Sequence, residues 1–266
     1  MSRRKVKVNQ PRSKGLSATV VKDSFTGIVR DLSTDGRGVV QAPDGQVVFV
    51  AGVWQGEKVE IERSRRGKST SAELISLLQP LDARHTPECE YHRDGSCGGC
   101  PWMFVDYPTQ IKQKQARLEK VLERINSNIA GCSVLGARET LNYRNRAQFK
   151  SDGVKLGYVA QGSHKIADVT HCPVLNEVNQ VHLRALRQSL PNSDWRPNKK
   201  RQWTTIDIDD ERGTPLVNQR QAFRQGNSEQ NEQLRVWLRN RLANLARPNT
   251  AVSYTHLRAH ETSGDL

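Results

Sequence analysis

Four cysteines define the chemistry open to this chain. Three lie in Cys89-Glu90-Tyr91-His92-Arg93-Asp94-Gly95-Ser96-Cys97-Gly98-Gly99-Cys100-Pro101, and the fourth stands far downstream in Thr170-His171-Cys172-Pro173. Thiolates at C-x2-C spacing, with glycines that let the backbone fold over an ion and present its amides, are what a tetrahedral thiolate centre requires. Two occupants suit Cys89, Cys97, Cys100 and Cys172 on this pattern. A cubane iron–sulfur cluster takes four thiolates in a pocket that shields sulfur, a need met by Gly98, Gly99 and the Cys-Pro steps. Zinc would accept the same four, or exchange one for His92 or His171. Unliganded core cysteines are the bland reading, and the compactness of Cys-Gly-Gly-Cys argues against it. The fifth cysteine, Cys132, follows Ala130-Gly131 and reads as a buried or free thiol.

Charge points to the partner. Lys and Arg number 41 against 28 Asp and Glu in 266 residues, a formal charge of +13 with a pI near 9.8. Such an excess favours a polyanion, because each phosphate neutralised releases condensed counterions. Nucleic acid is the partner class this implies. No apolar run approaches the ~20 residues that cross a bilayer, and Met1-Ser2-Arg3-Arg4-Lys5 has no apolar signal core behind it. The expectation is a cytosolic protein without a membrane partner. In that reducing compartment five cysteines do not make a disulfide framework, and metal or cluster binding becomes the default for the grouped four.

The elements that must position these cysteines follow in chain order. Residues 1–22 are polar and basic and read as a disordered tail. Over 23–80, short β-rich runs at 25–31, 38–41, 47–50, 58–63 and 71–78 are separated by Thr34-Asp35-Gly36 and Pro43-Asp44-Gly45. Asp-Gly between β-branched runs signals a hairpin, since glycine takes the positive φ that such turns need. Five short strands predict a small barrel with a basic face. Arg63, Arg65, Arg66 and Lys68 are its candidate phosphate contacts, and Trp54 is either a stacking platform or a packing residue. A proline-marked linker leads into the cysteine stretch. Asp106-Tyr107-Pro108 then opens a helix whose apolar stripe is Ile111, Leu118, Val121, Leu122 and Ile125, expected to buttress the cysteine centre. Tyr143 to Lys150 alternates, turns at Asp152-Gly153 and returns to Val159 as a hairpin, with Arg144 and Arg146 as further candidate RNA contacts. A helix from about 176 to 190, a strand at 203–208 and a helix from about 228 to 246 complete the reading. No internal repeat is visible.

Several of these runs resemble known families. Gly36-Arg37-Gly38-Val39-Val40, Val47-Val48-Phe49-Val50-Ala51-Gly52 and Gln55-Gly56-Glu57-Lys58-Val59 resemble the TRAM domain, an OB-like RNA-binding barrel. Cys-Gly-Gly-Cys-Pro-Trp, then Tyr107 and its Gln110-Ile111-Lys112 helix, Tyr143-Arg144-Asn145-Arg146 and Val169-Thr170-His171-Cys172-Pro173-Val174-Leu175 resemble the iron–sulfur RNA (uracil-5-)-methyltransferases. The order of barrel, cluster and central domain is most similar to the 23S rRNA branch of that family. The resemblance implies a 4Fe–4S cluster on Cys89, Cys97, Cys100 and Cys172, although the interval between Cys89 and Cys97 is longer than the family's. It implies S-adenosylmethionine as methyl donor, 23S rRNA as partner, and a monomer. Phe223-Arg224-Gln225-Gly226-Asn227 is similar to the family's F-x-Q-x-N run, which gives Gln225 the role of a cofactor contact. Read without the family, that stretch is a polar lead-in to a helix N-cap.

The implied fold is α+β: a TRAM barrel at 23–80, an α/β iron–sulfur central domain at 81–215, and the start of a truncated Rossmann-like methyltransferase domain at 216–251. The family's chemistry needs a cysteine thiolate to attack C6 of uracil and a glycine-rich turn to seat the methyl donor. Neither is legible here, so no catalytic residue is assigned, and the chain is expected to be inactive alone. Residues 252–266 begin Val252-Ser253-Tyr254-Thr255-His256-Leu257-Arg258, which resembles the translation of a sequencing-library adaptor and is excluded from fold reasoning. The rival reading is a stand-alone zinc-binding RNA-binding module without catalysis. A radical methylthiotransferase is disfavoured, because its cysteines would precede the barrel.

Overall fold

The computed structural model describes residues 19–125, 133–160, 162–219 and 221–243. The basic tail to residue 18, Cys132 and residues from 244 onward, including the adaptor-like end, lie outside the described residues. The chain forms two compact units, Met1–Asp82 and Ala83–Leu266.

In the first unit β1 (Val20–Leu32), β2 (Gly38–Gln41), β3 (Val47–Val50), β4 (Lys58–Arg66) and β5 (Ser69–Gln79) form one antiparallel sheet in the order β3-β2-β1-β4-β5. The sheet curls until its edge strands β3 and β5 meet, where Gln46 reaches the Thr70 hydroxyl. Alternation decides what is inside: Phe25, Val29, Val40, Val48, Val50, Val59 and Ile61 are buried while their neighbours along each strand face out. The two Asp-Gly turns behave as expected, with Gly36 at φ 86° and Gly45 at φ 82°. The strand that opens the unit departs from expectation. It starts at Val20, inside the segment read as tail, because Val20 to Lys22 pair with Arg66 to Ser64 although their side chains stay exposed.

Trp54 is a packing residue. Its indole is buried, and its backbone N–H donates at 2.7 Å to Glu57, whose other carboxylate oxygen accepts from the Leu81 N–H at 3.0 Å. Glu57 is 1% exposed, so both bonds lie where water cannot substitute. Glu57→Ala should therefore lower the stability of this unit by about 2–4 kcal/mol, the cost of leaving two amides unpaired. Glu57→Gln, which keeps one oxygen, should fall between it and the wild type in thermal unfolding.

The second unit carries a second antiparallel sheet, ordered β10-β9-β6-β7-β8, from β6 (Arg146–Ser151), β7 (Leu156–Val159), β8 (Ile166–Asp168), β9 (Thr204–Asp209) and β10 (Leu216–Val217). Among the described residues of this unit, helix α1 (Glu90–Arg93) is a single turn in the cysteine stretch, and α2 spans Tyr107–Ile125. Asp106 caps α2 by accepting from the Thr109 N–H, and Pro108 sits in the first turn, where its missing donor costs nothing. α3 (Glu177–Gln188) is capped by Asn176 and packs on β9. α4 (Ser228–Ala243) is capped by Asn227, which accepts from the Gln230 N–H. Phe149, Leu156, Leu175, Leu183, Ile206 and Ile208 form the core between sheet and α3. Neither α2 nor α4 has a fully buried residue, and Leu118, Val121, Ile125, Leu234 and Trp237 are exposed. The expectation that α2 buttresses the cysteines holds only at its first turns, where Gln110 donates to the carbonyls of Trp102 and Val105.

Candidate metal centre

Cys89 is the N-cap residue of α1, and its carbonyl accepts from the N–H groups of His92 and Arg93. The chain then reverses through Asp94, whose carboxylate takes the Ser96 N–H at 2.8 Å, and Gly95 at φ 71°. The Cys97 N–H returns to the Tyr91 carbonyl at 3.0 Å, which closes the stretch into a compact loop before Gly98-Gly99-Cys100. Cys172 arrives on the segment after β8. Its carbonyl is held by the Leu175 N–H and by the side-chain amide of Gln180 on α3. Tyr91 ties the two segments together, because its hydroxyl bonds the Thr170 side chain at 2.8 Å and accepts from the Thr170 N–H at 2.9 Å.

The outcome is one cavity lined by Cys89, Cys97, Cys100 and Cys172, with Arg144 and Tyr158 also on its wall. All four thiols are free; Cys172 is buried and the others half-buried. His92 and His171 line the same space. Among the described residues no group of three or more His, Cys, Asp or Glu side chains closes on a single ion. Burial pushes the Cys100 thiol up to about 11, reinforced by Cys172 and Cys97 and opposed by the Arg144 guanidinium. Burial also raises Cys97 and Cys172. The Tyr158 hydroxyl is buried without a well-formed hydrogen bond and has the Cys172 sulfur as its neighbour. Thiols crowded in this way remain protonated by themselves, whereas a bound cation reverses the balance and takes them as thiolates.

The other candidate residues are placed differently. Arg63, expected to face RNA, points inward instead: its side chain is 4% exposed and is committed to Asp23 at 2.6 Å and Asp44 at 2.8 Å. Arg65 leans toward the same two carboxylates at 3.5 and 3.6 Å, while Arg66 and Lys68 are exposed at the β4–β5 turn. Arg146 is bound to the buried Asp207 at 3.1 Å and to the Ala222 carbonyl, so its charge is spent inside the sheet. Gln225 lies in the loop before α4, and its carbonyl accepts from the Asn145 side chain at 2.9 Å. The sequence alone assigns no site role to Tyr91, Tyr158, Asn145 or Asp207. The buried pairing of Asp207 in β9 had no local signal, whereas a tyrosine two residues after the first cysteine was at least in view.

In sequence the chain is similar to RNA methyltransferases, among them enzymes named for C5 of uracil in 23S rRNA. No family profile matches it. An uncharacterised RNA methyltransferase of Nitrosomonas europaea is 40% identical over 228 residues, which cover 81% of this chain and 58% of the relative. A 23S rRNA (uracil(1939)-C(5))-methyltransferase of Halomonas elongata is 34% identical over 61% of this chain and 35% of its own length. A 23S rRNA (uracil(747)-C(5))-methyltransferase of Pyrococcus furiosus is 30% identical over 64% of this chain and 39% of its own. The chain thus spans little more than half of the first of these relatives and less of the others. In fold it is similar to the Pyrococcus abyssi tRNA (uracil-54, C5)-methyltransferase solved with S-adenosyl-L-homocysteine, at a TM-score of 0.52 and 20% identity over 72% of this chain and 44% of that one. The mixed α and β architecture with a curled antiparallel sheet agrees with that likeness.

Proposed function

We propose that this chain is the RNA-recognising, metal-bearing portion of an S-adenosylmethionine-dependent RNA (uracil-5-)-methyltransferase acting on 23S rRNA. The observation that carries the reading is the convergence of four cysteines from two distant segments on one cavity. A 4Fe–4S cluster takes thiolates arranged around a body rather than a point, and Cys89, Cys97, Cys100 and Cys172 surround such a space. Arg144 supplies positive charge on the wall, and the Tyr158 hydroxyl, which has no well-formed partner, is a donor available beside the Cys172 sulfur. The first unit is read as a TRAM barrel whose exposed Arg66 and Lys68, with Arg65 beside them, meet phosphate, Arg63 being withdrawn from that role. Gln225 is read as a contact to the methyl donor, which supplies the electrophilic methyl group when bound. With no nucleophilic cysteine assigned and no glycine-rich turn after a strand among the described residues, methyl transfer is assigned to the part of the relatives that this chain does not span.

Anaerobic purification with iron and zinc quantitation tests the centre. Iron with sulfide-to-iron charge-transfer absorption is the expected result. Zinc without iron would instead support a zinc-binding RNA module, for which His92 and His171 already stand at the cavity. For the RNA interface, binding to a single-stranded rRNA fragment should weaken steeply with salt, the log of affinity falling by about 0.7 per phosphate contacted for each decade of salt. Arg66→Ala and Lys68→Ala should each flatten that slope by about one contact. An unchanged slope in both variants would remove the β4–β5 turn from the interface.

A further inference from the structure

Arg144 and Asn145 stand between two features treated so far as separate. On one side, the Arg144 N–H donates to the Val174 carbonyl at 2.7 Å, and its own carbonyl accepts from the Asn176 N–H at 3.0 Å. This forms a parallel bridge to the segment that carries Cys172. On the other side, Arg144 forms an antiparallel bridge with Asn227, and the Asn145 N–H donates to the Gly226 carbonyl at 3.0 Å. The Asn145 side chain extends the second attachment. It is 1% exposed, and its amide nitrogen donates to the Gln225 carbonyl at 2.9 Å and to the Ser228 hydroxyl at 2.8 Å. The Asn145 carbonyl accepts from the Asp210 N–H, which anchors this dipeptide to the sheet as well. Arg144 also lines the cysteine cavity, and its side-chain Nε donates to the Arg146 carbonyl at 3.0 Å.

From this arrangement we infer that Asn145 is a positioning residue: through the Arg144–Asn145 dipeptide, the state of the cysteine cavity sets the place of the Gln225-bearing loop. The physical reason is economy of contact. Two adjacent residues satisfy backbone groups of both segments, so a shift of the Cys172 segment moves Arg144, and a shift of Arg144 strains the only backbone donor that Asn145 has for Gly226. The buried side chain stiffens the link, because its two amide hydrogens have fixed acceptors and any displacement would leave them unpaired in a dry site. Bound metal would thereby order a loop that contains none of its ligands. The functional sense of this inference rests on the reading of Gln225 as a cofactor contact; the mechanical link does not.

Two neighbouring amides report the two sides separately, Arg144 for the Cys172 segment and Asn145 for the Gln225 loop. Amide exchange read by NMR on the full chain, with iron and zinc counted in the same samples, tests the link. In Cys172→Ser, exchange should rise by at least about tenfold at both amides and at Gln230 in the first turn of α4. In Asn145→Ala, metal content and Arg144 protection should match the wild type, while Gln230 exchanges faster and stops responding to metal removal. A rise at Arg144 with none at Asn145 or Gln230 in Cys172→Ser overturns the inference, as does Gln230 still responding to metal in Asn145→Ala. If the wild-type chain holds neither metal, the reading of the cysteines fails, and Cys172→Ser alone then decides the link: unchanged Asn145 exchange in it overturns the inference as well.

Discussion

The Cys100→Ser variant is expected to purify without bound iron and to unfold roughly 10 °C below the wild type in the transition of the second unit. The reasoning starts from where Cys100 sits. It packs with Cys97, Tyr91 and Met103 against the core formed by Phe149, Leu156 and Leu175. The cysteine loop holds itself by a few backbone bonds and a single-turn helix, with no buried residue in α1. The proposed centre, joining this loop to the Cys172 segment, would contribute folding energy directly, as structural metal sites do. Loss of a metal belongs to the mechanisms that cost more than about 4 kcal/mol, and in a unit of this length that is roughly 10 °C. The first unit provides the internal control, because it contains no cysteine and Trp54 is its single tryptophan. An unaltered melting profile with metal lost would show that the centre is dispensable for folding.

Gly157→Ala is expected to be as damaging without touching a cysteine. Gly157 lies on β7, between Lys150 of β6 and Asp168 of β8. A methyl group built on it falls 1.9 Å from the Ala167 carbonyl oxygen and 2.9 Å from the Val169 nitrogen. Both are backbone atoms, so no side chain can turn aside to make room. β8 would have to move away, and β8 feeds directly into Thr170, His171 and Cys172. Overpacking of this kind costs about 3 kcal/mol or more when relief requires a backbone shift. The expected readout is loss of cooperative unfolding in the second unit together with reduced metal content. Full metal content and wild-type unfolding would show that β7 and β8 can part without cost.

The local elements were legible because their signals are local. β2 and β3 fall where β-branched residues stop at Asp-Gly turns, and α3 begins after an asparagine that caps it. Cys172 was a candidate by residue type, the resemblance gave it the same role, and the structure puts it on one cavity with Cys89, Cys97 and Cys100. What escaped is what depends on contact between distant residues. Arg63 reads as one member of a basic cluster until β1 and the β2–β3 turn place Asp23 and Asp44 against it. Arg146 looks like a phosphate contact until β9 sets Asp207 beside it. Asn145 sits in a run of basic residues and gives no hint that its amide is buried. The run from Phe223 to Asn227 supported two readings, and the structure realises the capping one through Asn227 while leaving Gln225 open to the other.

The Arg63 pairing has a meaning for how the first unit finds its form. Its two carboxylates come from the start of β1 and from the turn between β2 and β3, segments that must both be correctly placed against β4 before the guanidinium is satisfied. A slip of β4 by one residue would turn Arg63 outward and leave a place among apolar side chains for Ser64 or Glu62. Wrong alignments thus forfeit a paired charge and expose the mismatch at once. Arg63 works as a key that only one register of the strands can turn, and the sheet's uniqueness, more than its strength, is what that residue protects.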